Sequence, residues 1–278
     1  MSKVRLPVER KIKLDFKNLF EQVVSEDLKN ETKVALLFSG GVDSTSIGFA
    51  LTDLGIQVSA YTFQMGEWVS RDMKHATKTA EIMNWDLTKI KVPVDNLEER
   101  FIELAKKWKC KKKTQFECTY PFLYVLPKIK ENLVYSGIAA DGHFGLSRKA
   151  MVHYKYPHKL FNQFRFDYFS APNPAGQIQQ KALIEEYCKR QSAPFLDKRI
   201  YDFFIQFTWD QLNLPKQKMP ILKAYKGYFQ KVGRRNHENL QLISGADKIC
   251  ESLLKTKLNK KNRSRTMDLY RDLVAEYG

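Results

Sequence analysis

Cysteine is scarce in this sequence: the 278 residues contain four, Cys110, Cys118, Cys188 and Cys250, widely spaced and forming no CxxC or metal-knuckle pattern. That spacing implies free thiols in a reducing compartment. Long apolar runs are missing as well. None approaches the roughly 18 to 20 residues that span a bilayer, so no transmembrane helix is expected. The opening MSKVRLPVERKIKLDF lacks the apolar stretch and small-residue cleavage site of a secretory signal. We therefore expect a cytoplasmic protein with no membrane partner. Internal repeats and low-complexity tracts are absent too. Acidic residues are outnumbered, 31 Asp and Glu against 47 Lys and Arg, giving a formal net charge of +16. Such an excess attracts polyanions and speeds their encounter. A nucleic-acid partner and a lysine-rich solvated surface are both consistent with it.

What is present reads as globular: 43% of residues are apolar and 13% aromatic. The length suits one sizeable core, or one α/β domain with a helical extension. Residues 14–28 place Phe16, Leu19, Phe20, Val23 and Val24 at helical spacing. Residues 33–38, KVALLF, form a continuous apolar run followed by glycines, the pattern of a buried parallel strand. The alternation continues with a helix at 45–54, a strand at 58–63, a helix at 72–85, a strand at 89–92, helices at 97–108 and 119–129, and a strand at 133–136. That order predicts right-handed βαβ crossovers and an α/β fold, a doubly wound parallel sheet with helices on both faces.

Beyond about residue 150 the strand signal fades. Helical patterns recur at 177–191, 198–207, 221–232, 246–258 and 266–277. We expect a nucleotide-binding α/β core over residues 1–150 and a mostly helical region over 151–278 that packs on it and shares its core. Residues 152–169 are dense in aromatics, which at helical spacing are more often core than platforms for stacked bases. The densest basic clusters are 109–113 (KCKKK) and 255–265 (KTKLNKKNRSR).

The segment that carries chemistry is SGGVDS, Ser39 through Ser44, set between the first buried strand and a helix. Gly40 and Gly41 permit backbone conformations and approaches that a β-carbon blocks. Their N–H groups, with those opening the next helix around Val42, converge on an anion and are reinforced by the helix dipole. The Ser39 and Ser44 hydroxyls add donors. Asp43 stands out, because a carboxylate beside phosphates repels them unless a cation lies between, so it is the candidate ligand for Mg²⁺. Ser39 and Gly137 both directly follow predicted strands, and ligands of parallel sheets bind beyond those strand ends. The GxxxxGKS/T loop and its lysine are absent.

SGGVDS after an apolar strand resembles the PP-loop of ATP pyrophosphatases. The resemblance implies that ATP binds here and is cleaved between its α and β phosphates: a substrate oxygen attacks the α-phosphate, an adenylate forms and pyrophosphate leaves. About residues 14–245 are similar to the synthetase domain of asparagine synthetase and β-lactam synthetase. Residues 60–65 (AYTFQM) match the family's second strand and part of its adenine pocket, which implicates Thr62 and Phe63. Residues 136–145 (SGIAADGHFG) resemble SGDGADELFGG, 193–199 (APFLDKR) resemble RVPFLDHR, 218–225 (KMPILKAY) resemble a KxxLRxA helix start, and 234–245 (RRNHENLQLISG) resemble RxKxxFSxG.

The departures cluster at the acceptor end. The family's first metal-binding Asp of SGDGADE corresponds to Ile138, and its terminal Glu to Gly142; Asp141 alone is retained. His143 is an unusual neighbour, either a buried structural histidine or a proton acceptor near neutral pH. The lysine of RxKxxFSxG falls on Asn236 or His237, while Arg235 keeps positive charge toward a leaving pyrophosphate. Lys218 and Lys223 are further candidates, although surface solvation is the commoner fate of a lysine. Pro194 and Asp197 are expected to shape a turn and cap the next helix.

The glutaminase domain of the family is not expected in a chain that reaches its PP-loop by residue 39. Free ammonia, an amine substrate or a separate glutaminase would then supply nitrogen. The absence of paired cysteines speaks against the sulfur-transferring PP-loop enzymes. Three functions remain: a ligase joining a small-molecule carboxylate to an amine, an enzyme modifying a base of DNA or tRNA, and a nucleotide-binding protein without turnover.

Overall fold

The computed structural model describes residues 6–67, 70–173, 176–234, 248, 252 and 266–278. In chain order the elements are α1 (Leu6–Leu28), β1 (Lys33–Leu37), α2 (Val42–Asp53), β2 (Gln57–Met65), α3 (Arg71–Met83), β3 (Asp86–Val92), α4 (Leu97–Lys106), α5 (Lys113–Thr119), α6 (Phe122–Val125) and β4 (Leu133–Tyr135). They continue with α7 (Ala140–Phe144), α8 (Arg148–His153), α9 (His158–Ser170), α10 (Gln177–Glu186), β5 (Arg190–Ser192), α11 (Lys198–Phe204), α12 (Trp209–Asn213), α13 (Met219–Ala224), α14 (Lys226–Val232) and α15 (Thr266–Tyr277). None of the described helices is long and apolar enough to cross a membrane.

The five strands form one sheet in the order β3-β2-β1-β4-β5, with every neighbouring pair parallel. β1 sits at its centre, and its continuous apolar sequence feeds two cores because alternate strand residues point to opposite faces. Val34 and Leu36 join one cluster with Phe16 and Phe20 of α1, Phe49 of α2 and Phe204 of α11. Ala35 and Leu37 join the other with Phe101 of α4, Phe116 of α5, Leu183 of α10 and Tyr270 of α15. Helices therefore cover both faces, as a doubly wound sheet requires.

Two departures from the sequence pattern have local causes. The helix expected over 119–129 is broken into α5, α6 and a 3₁₀ turn, Leu126–Lys128, by Pro121 and Pro127, which lack the N–H a continuous helix needs. The helix expected over 177–191 ends at Glu186, and Arg190–Ser192 instead forms β5, paired with β4. The sheet thus draws its last strand from beyond residue 150, and the two halves share one framework. The turn and cap expected at Pro194 and Asp197 are present: Pro194 opens a 3₁₀ turn, and Asp197 Oδ1 accepts from Arg199 N at 2.7 Å to start α11. The helical pattern at 246–258 lies outside the described residues.

Candidate active site

Crossovers leave β1 toward β2 on one side and reach β4 on the other, so the crevice beyond the carboxyl ends of β1 and β4 is the topological switch point of the sheet. The loop after β1 is held in place by its own serines. Ser39 N donates to Ser44 Oγ at 3.3 Å, Gly41 N donates to Ser39 Oγ at 3.2 Å, and Ser44 Oγ donates to Gly41 O at 3.3 Å. Gly40 takes φ +73°, and a β-carbon there would lie 2.9 Å from Ala76 N on α3. Only glycine fits that close approach in that conformation. Intrahelical bonding of α2 begins with Thr45 N to Gly41 O at 3.0 Å, which leaves the preceding N–H groups of a 12-residue helix at the crevice.

Gly137, following β4, brings the second loop against the first: a β-carbon there would lie 3.2 Å from both Asp43 Cβ and Ser44 N. Thr62, buried, and Phe63, half-buried, lie where β2 runs on past the end of β1, whose last paired residue Leu37 faces Tyr61. Their positions border the same edge of the sheet. The structure therefore brings together Ser39, Gly40, Gly41, Val42, Asp43, Ser44 and Gly137, with Thr62 and Phe63 alongside.

Asp43 and Asp141 meet at a residue that sequence reasoning left to the solvent. Lys218 is only 3% exposed, and its Nζ donates to Asp43 Oδ2 at 2.6 Å and to Asp141 Oδ1 at 2.7 Å. The ammonium also lies 5.8 Å from the centre of the Phe144 ring, a cation–π distance. Lys218 precedes α13 with φ +63°, and its N–H donates to Asn213 Oδ1 at 3.3 Å. Asn213 Nδ2 is in turn anchored on Phe144 O at 2.9 Å, which couples the lysine to α7 and hence to Asp141. A non-glycine residue in the left-handed region is a strained conformation that surrounding contacts must impose. Burial opposes the positive charge of Lys218, but Asp141 and Asp43 outweigh it and hold the pKa above that of an ordinary lysine. The expectation of a solvated Lys218 is thus corrected: two carboxylates compensate its desolvation. Lys223 is half-buried on α13.

The two family departures have different surroundings. Ile138 is half-buried after Gly137. Gly142 has no room for a side chain, since a β-carbon there would come within 2.3 Å of the Tyr168 ring of α9. Tyr168 fills the space beside Asp141, and burial together with the Asp141 charge pushes its phenol pKa up. Nothing local in the sequence marked Tyr168, because its role depends on a glycine 26 positions earlier.

His143 does not fit the part of a proton acceptor titrating near neutrality. It is fully buried, stacked on Phe169 at 4.3 Å, and its Nε2 donates to Phe195 O at 2.7 Å. Its Nδ1 has no hydrogen-bond partner among the described residues. Burial pushes its pKa down to about 3, so the ring is neutral at pH 7. The unfolded imidazole titrates at 6.5. Stability from keeping it neutral is therefore complete above pH ~6.5 and is lost as pH falls from there toward ~3. Denaturant unfolding at pH 5 is expected to show about 2 kcal/mol less stability from this residue than at pH 7.5. His143→Phe, which keeps the ring packing, should flatten that part of the pH profile. Arg235 and His237 lie outside the described residues.

The family model for asparagine synthase matches residues 15–193. No curated protein sequence is significantly similar to the chain. Among solved structures, the U34-tRNA thiolase from Methanococcus maripaludis with its 4Fe–4S cluster superposes with a TM-score of 0.39 at 13% identity, covering 96% of this chain and 77% of that one. The NMN synthetase from Francisella tularensis gives a TM-score of 0.36 at 14% identity, covering 83% and 98%. The family match, which spans more than half of the chain and includes the SGGVDS loop and Asp141, makes this protein a member of the asparagine synthase family.

Proposed function

We propose that the protein is an ATP-dependent ligase that forms AMP and pyrophosphate while joining a carboxylate to an amine. The observation that carries this reading is Lys218, buried between Asp43 of the phosphate loop and Asp141 at the switch point of the sheet. A fixed positive charge there suits a reaction in which negative charge builds on a departing pyrophosphate. In the proposed course the triphosphate lies along Ser39 to Ser44, with the N–H groups opening α2 directed at its oxygens. Thr62 and Phe63 border the adenine. A carboxylate oxygen of the substrate attacks the α-phosphorus, and the bond from that phosphorus to the bridging oxygen of the β-phosphate breaks. Pyrophosphate leaves with the electron pair. The amine then attacks the acyl carbon, loses a proton and displaces AMP, leaving an amide.

The site's donors fit a divalent cation bound jointly with nucleotide. Asp43 and Asp141 converge within hydrogen-bond distance of one ammonium, so both carboxylates already border a cationic position. Among the described residues no cluster of three or more Asp, Glu, His or Cys could hold a metal alone. Mg²⁺ typically uses one or two carboxylates with substrate phosphates and water. Asp43 and Asp141 would hold it, and when bound it supplies charge neutralisation for the phosphates. The nitrogen source in this reading is a small amine, free ammonia or ammonia delivered by a separate glutaminase.

Incubation with ATP, Mg²⁺ and panels of carboxylates and amines is expected to release AMP and pyrophosphate together. Asp43→Asn is expected to lower that release by about 100-fold or more, the usual scale for losing an electrostatic group at a transition state. A broad panel that yields only ADP and phosphate would overturn the reading.

A further inference from the structure

We propose that the outer face of α9, together with the turn leading into it, is a docking surface for single-stranded RNA. From residue 142 to residue 166 the chain contains no Asp or Glu, while it carries Lys149 and Lys159, both exposed, and Lys155, half-buried. This acid-free stretch immediately follows Asp141. Two of its aromatic rings are turned outward instead of into the core: Tyr156 is 78% and Phe166 56% exposed. Their neighbours Phe161 and Phe164 are packed inward or partly covered, so the outward rings are a selective exception to the core role expected of this aromatic segment.

The arrangement is periodic. His158, Lys159, Asn162, Gln163 and Phe166 share one face of α9 and, with Tyr201 and Ile205, line an open groove of about 460 Å³. Lys155 lies 4.7 Å from the Tyr156 ring centre and 4.5 Å from that of Trp209. On the neighbouring faces Asp167 accepts from Gln163 Nε2 at 2.8 Å, and Asp202 pairs with Lys198 at 2.5 Å. The groove thus sets the Phe166 and Tyr201 rings beside Lys159, and the turn before α9 sets the Tyr156 ring beside Lys155. That combination matches the alternation of base and phosphate along an unpaired strand. A duplex presents phosphates but keeps its bases stacked, and so leaves Tyr156 and Phe166 unused. Bases held unpaired and splayed are above all a property of RNA loops and single strands.

The position is also consequential. Tyr168, on the inner side of the same helix, covers Gly142 beside Asp141, so the groove lies about one helix diameter, roughly 10 Å, from the candidate active site. The surface stands on its own charge and exposure, whatever reaction the phosphate loop supports.

The test is fluorescence anisotropy of a labelled, unstructured oligoribonucleotide titrated with the full chain over a range of salt. Binding that weakens steeply with salt is expected. Tyr156→Ala and Phe166→Ala should each weaken it by about fivefold or more, the scale of a lost base stack. Lys159→Glu should weaken binding to all sequences alike and lower the salt slope by about 1. Both rings are exposed, so the variants should melt at the wild-type temperature and bind ATP as the parent does; ATP titration in parallel separates failure of this inference from failure of the ATP site. Unchanged RNA affinity in both ring variants would overturn the proposal. So would equally tight binding of duplex RNA, of single-stranded DNA of the same sequence, or of phosphatidylserine vesicles.

Discussion

Lys218→Met is expected to reduce pyrophosphate release by about 100- to 1,000-fold, the range seen when one preorganised electrostatic donor is lost from a transition state. The same change should destabilise the fold. Lys218 donates to both Asp43 and Asp141, and methionine retains the length of the side chain but not the charge. Removing one partner of a buried ion pair typically costs about 3–5 kcal/mol, because the remaining charge is left uncompensated. Asp141 is nearly half exposed and therefore partly solvated, which moves the expected loss toward the lower end, about 3 kcal/mol. A double-mutant cycle with Asp43→Asn sorts the two effects. Neutralising Asp43 as well relieves part of the uncompensated charge, so stability should partly return, whereas pyrophosphate release should not. Wild-type release by Lys218→Met would remove Lys218 from the reaction. Denaturant unfolding and a coupled pyrophosphate assay on the four proteins are sufficient.

How much of this was legible in the sequence depends on how far apart the cooperating residues lie. The phosphate loop was readable because its parts are contiguous: an apolar strand, two glycines, an acidic residue and a helix within residues 33–54. The parallel sheet was readable through β4 because β1 and β4 are compact apolar runs and the strands alternate with helical segments, even though β3 carries Asp86, Lys89 and Lys91. β5 was not, since Arg190–Ser192 is three polar residues whose strand character comes entirely from pairing with Leu133–Tyr135. Lys218 lies 175 residues from Asp43 and 77 from Asp141, and a lysine at a helix start ordinarily belongs to the solvent. One signal was available: residues 218–225 follow the family's helix-start pattern, and a lysine fixed within such a pattern deserved more weight than the general tendency of lysines. Tyr168 offered no such signal. Its place depends on the missing side chain at Gly142, a complementarity that exists only after α7 and α9 pack. For His143 both readings were open, and Phe169, Phe195 and Phe204, contributed by distant segments, enclose it.

Arg165→Met is expected to lower stability by about 3–5 kcal/mol, although the hydrogen bonds of Arg165 go to α9 and the end of α11 and not to the phosphate loop. The guanidinium is fully buried and lies 3.9 Å from the Phe161 ring centre. Its Nη1 donates to Phe204 O at 2.7 Å, and its Nη2 to Ile205 O and Phe207 O, each at 3.0 Å. These carbonyls end α11 and the turn after it, where the helix dipole places partial negative charge and where intrahelical donors run out. One planar fork thus terminates α11 and ties it to α9. Burial lowers the pKa to about 10, which still leaves the group charged at neutral pH. Methionine fills much of the volume but deserts three carbonyl acceptors, one of them fully buried. Lysine keeps the charge yet offers a single nitrogen, which cannot reproduce the fork, so Arg165→Lys should recover less than half of the loss. A fall of about 3–5 kcal/mol corresponds to roughly 6–20 °C in Tm for a chain of this size. Because α9 also carries Tyr168 against Gly142, loosening this tie should weaken ATP-dependent turnover at temperatures where the protein is still folded, and scanning calorimetry with parallel activity measurements would detect the separation.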